Sequence, residues 1–289
     1  MSSPGIAQAG HPPHADGVPV PLRYWAIAAI ILAITMSVLD STIVNVALPS
    51  MARDFRVTDA ASIWVINSYQ IAILAALLPL ASLGEIVGYR RVSQCGLAIF
   101  TAASLACALA PSLTFLSIAR VIQGLGAAGI MSVNSALVRF TYPHHMLGRA
   151  IGINAFAVAV AATIGPTIAS AILAIAHWRW LFAVNVPIGL VTIGLAVYAL
   201  PDTERSRQRF NFVGVALHAG AFGLLISGLQ SLAHDAATAL GVSSAAWIAF
   251  IILSGPQTWT RRVAMSGTDC AITSLVRRPV GPLHGSSSG

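Results

Sequence analysis

The feature that most constrains this chain is a series of long apolar runs with almost no charge. Only 9% of its 289 residues are charged, and 56% are hydrophobic. A soluble domain carries about 25% charged residues, because these side chains cover its surface. A helix of about 20 apolar residues crosses the hydrocarbon core of a bilayer. The sequence therefore predicts an all-α membrane protein, and excludes a soluble enzyme, a disordered protein and a nucleic-acid binder.

The apolar runs predict eight spans in order along the chain. The first six cover residues 24–48, 62–83, 92–110, 113–138, 150–176 and 180–200, and two weaker ones cover 212–232 and 240–253. The division into segments follows from these: a flexible tail 1–22, a six-helix bundle 23–200, a charged loop 201–211, two further spans in 212–254 and a disordered tail 255–289.

The arginines predict the orientation of the spans. All sixteen basic residues are arginine. Ten of them fall in loops on the side of the N-terminus: Arg23, Arg90, Arg91, Arg139, Arg149, Arg205, Arg207, Arg209, Arg261 and Arg262. The opposite side has three, Arg53, Arg56 and Arg179. Because arginine-rich short loops stay in the cytoplasm, we expect an integral plasma (inner) membrane protein with a cytoplasmic N-terminus and cytoplasmic loop 201–211.

Two ionisable side chains lie inside predicted spans, Asp40 in the first and Arg120 in the fourth. A charge at bilayer depth costs several kcal/mol unless it is paired or faces a wet cavity. Counting residues along the two helices places both about 10–12 Å below the outer surface. They could form a structural ion pair that locks two helices together. We prefer the interpretation of Asp40 as a titrating carboxylate on a transport path, since proton relays in membranes use such acids.

Five motifs follow one another in these spans. They are 39–49 with Asp40 and Asn45; 84–91 with Glu85, Gly88, Arg90 and Arg91; 120–126 with Arg120 and Gln123; Gly165–Pro166; and Trp178, Arg179 and Trp180 with Asn185 and Pro187. In this order, the motifs resemble those of the drug:proton antiporters in the major facilitator superfamily, and the fifth resembles its fourteen-span multidrug efflux branch. The resemblance covers about residues 24–232.

The resemblance implies both a fold and a role for each motif. The fold would be a major-facilitator-type N-terminal six-helix bundle plus about two further helices. Asp40 would couple transport to protons or recognise cations, in a cavity lined by Arg120 and carrying Asn45 and Gln123. A cytoplasmic charge latch of Glu85, Arg90 and Arg91, with Gly88 in its turn, would govern gating. Gly165–Pro166 would form a bend linked to the direction of exchange.

The chain also departs from the family pattern. Ala81 and Glu85 stand where the signature turn normally has Gly and Asp, and Ala169–Ser170 stand where the fifth-span motif ends Gly-Gly. No second copy of the signature turn occurs, and residues 255–289 resemble nothing in the family. We therefore expect a transporter truncated after about eight spans, with a shifted frame or an early stop as the hypothesis.

The leading functional prediction is a proton-coupled efflux antiporter in truncated form, not an enzyme. Its partners would be the lipid bilayer, protons and amphipathic or cationic small molecules. We expect no cofactor, metal, nucleic acid or ATP, since a chain without lysine cannot form the GxxxxGK[ST] phosphate loop. One alternative is a non-transporting membrane fragment or interaction partner. Another is an intramembrane protease at Ser227 with His218, although Leu225 stands where such a site needs Gly.

Overall fold

A computed structural model describes Pro19 and residues 21–202, and this part of the chain is helical almost throughout. The helices are α1 (Leu22–Phe55), α2 (Asp59–Ser62), α3 (Trp64–Val87), α4 (Tyr89–Ala108), α5 (Leu113–Thr141), α6 (Leu147–Ile175), α7 (Arg179–Ala183) and α8 (Asn185–Ala199). A 3-10 turn, His144–Met146, precedes α6.

Six helical segments of the described chain are long and apolar enough to cross a membrane, which confirms the predicted all-α membrane fold. They include α1, α3, α4, α5, α6 and the pair formed by α7 and α8. The predictions for residues 1–18 and 203–289 lie outside the described residues. These are the two tails, most of the charged loop, the two further spans and the pairing of Ser227 with His218.

Aromatic side chains mark the two ends of the bundle. Tyr24, Trp25 and Tyr198 are exposed near the end that carries Arg23, and Trp64 and Trp180 are exposed near the end that carries Asp54. We call these the Arg23 end and the Asp54 end. Trp and Tyr are enriched where a membrane protein meets the headgroup region. The two groups therefore fit the two interfaces of a bilayer.

The first helix is longer than the sequence predicts. We expected a span that ends before Pro49 and a polar loop at 51–59, but α1 continues through Pro49 to Phe55. Membrane helices tolerate an internal proline. Pro49 removes only the bond to the carbonyl of Asn45, four residues earlier. Nearby, the Ser50 hydroxyl donates to the Ala47 carbonyl (2.7 Å), and Arg53 Nε donates to the Pro49 carbonyl (3.1 Å). The helix ends at Arg56, which has a positive φ of 53°.

Glycines bring α5 very close to its neighbours. A Cβ placed on Gly126 would lie 2.5 Å from the Phe100 nitrogen in α4, and one on Gly124 would lie 2.6 Å from the Tyr69 carbonyl oxygen in α3. Only glycine permits such close backbone approach, as is common where membrane helices pack. This packing places α5, and with it Arg120, in the interior of the bundle.

Candidate functional site

Asp40 and Arg120 form an ion pair in the interior of the bundle. Arg120 Nη1 donates to Asp40 Oδ2, and the exposed fractions of the two residues are only 2% and 1%. The equal depth predicted by residue counting is therefore correct. Since both charges are removed from water, each needs further polar partners to offset the loss of hydration.

Two amides supply such partners to the carboxylate. Gln123 Nε2 donates to Asp40 Oδ1 over 2.9 Å, and Asn185 Nδ2 donates to the same oxygen over 2.8 Å. An ionised carboxylate only accepts hydrogen bonds. All three of these side-chain partners present N–H donors, so the site is complementary to the ionised form of Asp40.

Gln123 extends the cluster to α4. Its Nε2 also donates to Ser104 Oγ (2.8 Å), and its Oε1 accepts from Arg120 Nη1 (2.7 Å) and from the Cys107 thiol (3.5 Å). We refer to Asp40, Ser104, Arg120, Gln123 and Asn185 as the Asp40 network. All five are buried, and they join α1, α4, α5 and α8 through side-chain hydrogen bonds.

The rest of the Arg120 side chain faces α3 and α7. Its Nε donates to the Val65 carbonyl (3.2 Å), and its guanidinium lies 3.9 Å from the centroid of the Tyr69 ring and 5.7 Å from that of Phe182. An arginine over an aromatic face is attracted by the ring quadrupole. The Tyr69 hydroxyl donates to the Ser37 carbonyl (3.1 Å). The positive charge is thus surrounded by a carboxylate, an amide oxygen, a backbone carbonyl and two aromatic rings.

This arrangement responds to a proton in a defined way. A protonated Asp40 carries an O–H donor, but the side chains that hydrogen-bond it present donors themselves. Protonation therefore weakens Asp40 as the acceptor in the contacts that join α1 to α5 and α8. It also leaves the Arg120 charge without its counter-ion, which is costly in the interior.

The other predicted member of the cavity, Asn45, is not part of the network. It is exposed, and its Nδ2 donates to the Ser41 carbonyl of its own helix (3.0 Å). Asn45 lies on a different face of α1, since Asp40 is buried towards α5 and α8.

The signature turn between α3 and α4 is built on Gly88, which has a φ of 105° that favours glycine. The residues of the predicted charge latch are Glu85, Arg90 and Arg91. In the structure Arg90 contacts α8 and the residue that follows it closely, and Glu85 is exposed. Arg90 Nη2 donates to the Val197 carbonyl (2.6 Å) and Nη1 to Asp202 Oδ1 (3.0 Å). Arg91 is exposed. Arg90 therefore holds the C-terminal end of α8, where cations are favoured by the helix dipole.

The predicted bend, Gly165–Pro166, lies inside the continuous helix α6. A Cβ on Gly165 would lie 2.0 Å from Thr42 Oγ1 in α1, whereas Pro166 is exposed. The glycine thus allows α6 to pack directly on α1, two residues beyond Asp40 along the chain.

The fifth motif divides between two places. Trp178 is buried and donates from Nε1 to Asp54 Oδ2 (3.0 Å), and Arg179 Nη1 donates to the Ala108 carbonyl (3.4 Å). Trp180 and Pro187 are exposed. Asn185, by contrast, reaches the Asp40 network. Trp178 and Arg179 therefore close the Asp54 end, and Asn185 belongs to the charged centre.

Sequence reasoning missed Ser104, Cys107 and Tyr69, and it placed Asn185 in a separate motif. Each is a polar or thiol-bearing residue in an apolar run, where many such residues only bond their own helix. A comparison of depth, as for Asp40 and Arg120, is the signal that could have found them.

Within residues 21–202, no three His, Cys, Asp or Glu side chains are grouped so that they could hold a metal ion.

Comparisons with known proteins show which family the chain is similar to. The family model described as "Major Facilitator Superfamily" matches residues 30–268. Over 222 residues the chain is 52% identical to the "Uncharacterized transporter YebQ" of Escherichia coli K12, covering 76% of this chain and 49% of that protein. It is 37% identical to the "Multidrug resistance protein Stp" of Mycobacterium tuberculosis, covering 68% of this chain and 37% of that protein. The chain thus spans half or less of the length of these relatives.

Solved structures show the same fold. A bacterial homologue of the human lysosomal transporter Spinster aligns with a TM-score of 0.55 at 17% identity, covering 80% of this chain and 59% of that one. The proton:xylose symporter XylE aligns with a TM-score of 0.55 at 14% identity, covering 85% of this chain and 56% of that one. At such low identity, these alignments establish the fold alone.

Proposed function

The chain belongs to the major facilitator superfamily, and on that premise we propose that it contributes a six-helix bundle to a proton-coupled exporter of amphipathic or cationic small molecules. Asp40 is the coupling carboxylate of this proposal. The relatives and the structural neighbours are transporters, and no enzymatic function is proposed.

The observation that carries the proposal is the burial of Asp40 with three side-chain donors. With the network intact, only 2% of Asp40 is exposed to solvent. A proton can therefore enter or leave Asp40 only when the helices that bear its partners move apart. This links proton exchange to a conformational change, as alternating access requires.

The charge of the network indicates how a cationic substrate and a proton can exclude each other. With Asp40 ionised, Asp40 and Arg120 together carry no net charge. Protonation of Asp40 leaves the positive charge of Arg120 unbalanced. In a region of low dielectric constant, this charge repels a second cation over several ångströms. Among the described residues, the ionisable side chains near Asp40 other than Arg120 are Tyr69 from α3 and Cys107 from α4. Both are weak acids, which carry no charge when protonated.

The proposal also covers the class of substrate and the orientation of the protein in the membrane. The name of one relative, "Multidrug resistance protein Stp", supports the efflux of drug-like molecules. Five of the described arginines lie at or near helix ends on the Arg23 end of the bundle and three on the Asp54 end, which supports a cytoplasmic Arg23 end in an inner membrane. Motion of the bundle against a second one follows the family scheme of two rocking halves.

The proposal is tested by transport in inverted membrane vesicles. The chain is expressed alone and also joined to the remaining half of the 52%-identical Escherichia coli relative. A pH gradient is imposed, and the uptake of a fluorescent cationic dye into the vesicles is measured. We expect uptake by the joined protein that stops when an ionophore collapses the pH gradient. Uptake that persists after the collapse, or an inserted joined protein that moves no dye, would contradict the proposal.

A further inference from the structure

Two buried oxygen atoms stand out from the other polar groups of the bundle. Among the described residues, Thr35 Oγ1 and Asn154 Oδ1 are the buried side-chain atoms without a hydrogen-bond partner. Such a group costs about 1–3 kcal/mol when it is left unpaired in an interior. Native proteins contain few of them, and an internal water molecule is a common explanation.

Thr35 differs in this respect from its neighbours. Most hydroxyls in these helices donate to a carbonyl of their own preceding turn: Ser37 to Ala33, Thr42 to Leu39, Thr141 to Leu137 and Thr163 to Ala159. This local bond is the ordinary way for a hydroxyl to be satisfied in a membrane helix. The hydroxyl of Thr35 makes no such bond, so it is available to a partner outside its helix.

The two oxygens lie on the facing sides of α1 and α6. Thr42 of α1 meets Gly165 of α6. Thr35 precedes Thr42 by seven residues, which is two helical turns, and Asn154 precedes Gly165 by eleven, which is three turns. Both residues therefore belong to the stripes that face each other in the contact between α1 and α6.

A small cavity lies at the same contact. It has a volume of about 10 Å³ and is lined by Asn154 and by residues that include Ile27, Ile31 and Tyr142. Ile27, Ile31 and Thr35 follow one another at intervals of four on α1. Thr35 therefore borders the cavity one turn beyond Ile31, about 6 Å further from the Arg23 end than Asn154. About 10–15 Å³ of such volume is the room that one water molecule needs. Tyr142 and Ala150 both line the cavity, and their positions in the chain place the cavity towards the Arg23 end.

We propose that Thr35 and Asn154 form a water-binding site between α1 and α6, reached from the Arg23 end of the bundle. The site supplies one acceptor from the amide of Asn154 and a hydroxyl from Thr35, and water is the ligand that can both donate and accept there. The proposal does not depend on transport. Where the proposed function holds, the site also leads water along α1 to five residues from Asp40, about 7–8 Å along the helix axis. It would then serve as the route for the proton at the Arg23 end.

The site is tested with silver ion, which is similar in size to water and reacts with thiolates. In membranes that contain the full chain, Cys95 and Cys270 are replaced by serine and Cys107 by alanine. Thr35→Cys and Asn154→Cys are then compared with Ile130→Cys. Ile130 is buried in the apolar core of α5. Residue counting from Arg120 places it at about the depth of Asn154 and about 7–8 Å nearer the Arg23 end than Thr35, so a slow reaction there cannot be explained by greater distance from that end.

We expect Thr35→Cys to react at least about tenfold faster than Ile130→Cys, because a thiol needs water to ionise. We also expect Asn154→Leu, introduced beside Thr35→Cys, to reduce this rate to that of Ile130→Cys. A slow reaction of both Thr35→Cys and Asn154→Cys, in chains that remain inserted and monodisperse, would overturn the proposal. If either variant fails to fold, the other carries the same comparison. Dye transport is measured separately, so an inactive transporter leaves the silver result intact.

Discussion

Asn185 Nδ2 lies 2.8 Å from Asp40 Oδ1, so the last described helix is hydrogen-bonded to the middle of the first. The two residues are 145 positions apart in the chain. Asn185 is the first residue of α8, at the point where α7 ends and the chain turns into the last helix. The contact therefore fixes the position of α8 against α1 at the charged centre.

Replacement of Asn185 tests the value of this contact. A hydrogen bond to a charged group contributes about 1.5–3 kcal/mol. We expect Asn185→Ala to lower the free energy of unfolding by about that amount, measured by thermal unfolding in detergent. Asn45→Ala is the matched control, because Asn45 is exposed and bonds only its own helix. An equal effect of the two variants would show that Asn185 contributes nothing particular to the network.

The contact between α1 and α6 is tested by two glycines of the same helix. We expect Gly165→Ala to lower the free energy of unfolding by about 1–3 kcal/mol, because the new methyl group would overlap Thr42 Oγ1. A Cβ on Gly152 would meet no atom within 4 Å, so Gly152→Ala should stabilise α6 by up to about 1 kcal/mol. The two changes in melting temperature should thus have opposite signs. A stabilising effect at both positions would contradict the close packing.

The two parts of the Arg90 contact should differ in strength. The side chain of Asp202 is 91% exposed, and exposed ion pairs contribute about 0–1 kcal/mol. Asp202→Asn should therefore change the melting temperature little. We expect Arg90→Ala to have a larger effect, about 1–2 kcal/mol, because it also removes the bond to the Val197 carbonyl. Arg91→Ala, at an exposed neighbour, is the control. If Asp202→Asn were as harmful as Arg90→Ala, the ion pair would be the stronger part.

Trp178 and Trp180 provide a further matched pair, since they lie two residues apart. Trp178 is buried against Phe55 and Phe182 and donates to Asp54, whereas Trp180 is 59% exposed. Truncation of a buried aromatic side chain costs about 3–5 kcal/mol. We expect Trp178→Ala to reduce the folded yield strongly and Trp180→Ala to reduce it little, as measured by size-exclusion chromatography. Similar yields for both would argue against Trp178 as an anchor of the Asp54 end.

Local sequence patterns predict the helices well and the contacts between them only in part. Long apolar runs and loop arginines gave the six spans of the bundle to within a few residues, except where α1 continues through Pro49 to Phe55. The proline predicts a stop, but it removes only one backbone hydrogen bond of α1, and the helix continues. A comparison of depth in the two antiparallel helices is sufficient to predict that Asp40 and Arg120 lie at the same level, and the structure pairs them.

The other partners depend on how the helices are rotated and packed. Asn185 and Ser104 reach the charged centre because glycines let α4, α5 and α8 approach closely: Gly96 and Gly126 between α4 and α5, and Gly189 against Thr101 between α8 and α4. Arg90 bonds α8 because its long side chain can span the two helix ends. These relationships are tertiary, and no pattern within one helix specifies them.

The role of Asp40 cannot be read from the single variant Asp40→Asn. That change leaves the buried guanidinium of Arg120 without a counter-ion, and breaking a buried pair in this way costs about 3–5 kcal/mol. Loss of transport could then reflect loss of folding. The double variant Asp40→Asn/Arg120→Gln removes both charges and keeps polar side chains in the network. We expect it to melt close to the parent protein, in contrast to either single variant.

Dye transport by this double variant, in the protein joined to the second half of the Escherichia coli relative, tests the central claim most directly. Insertion and melting temperature are measured on the same preparation. If Asp40 carries the coupled proton, the double variant is folded but a pH gradient no longer drives dye uptake into inverted vesicles. Uptake at the parental rate, with the same dependence on the pH gradient, would show instead that Asp40 and Arg120 are only a structural ion pair.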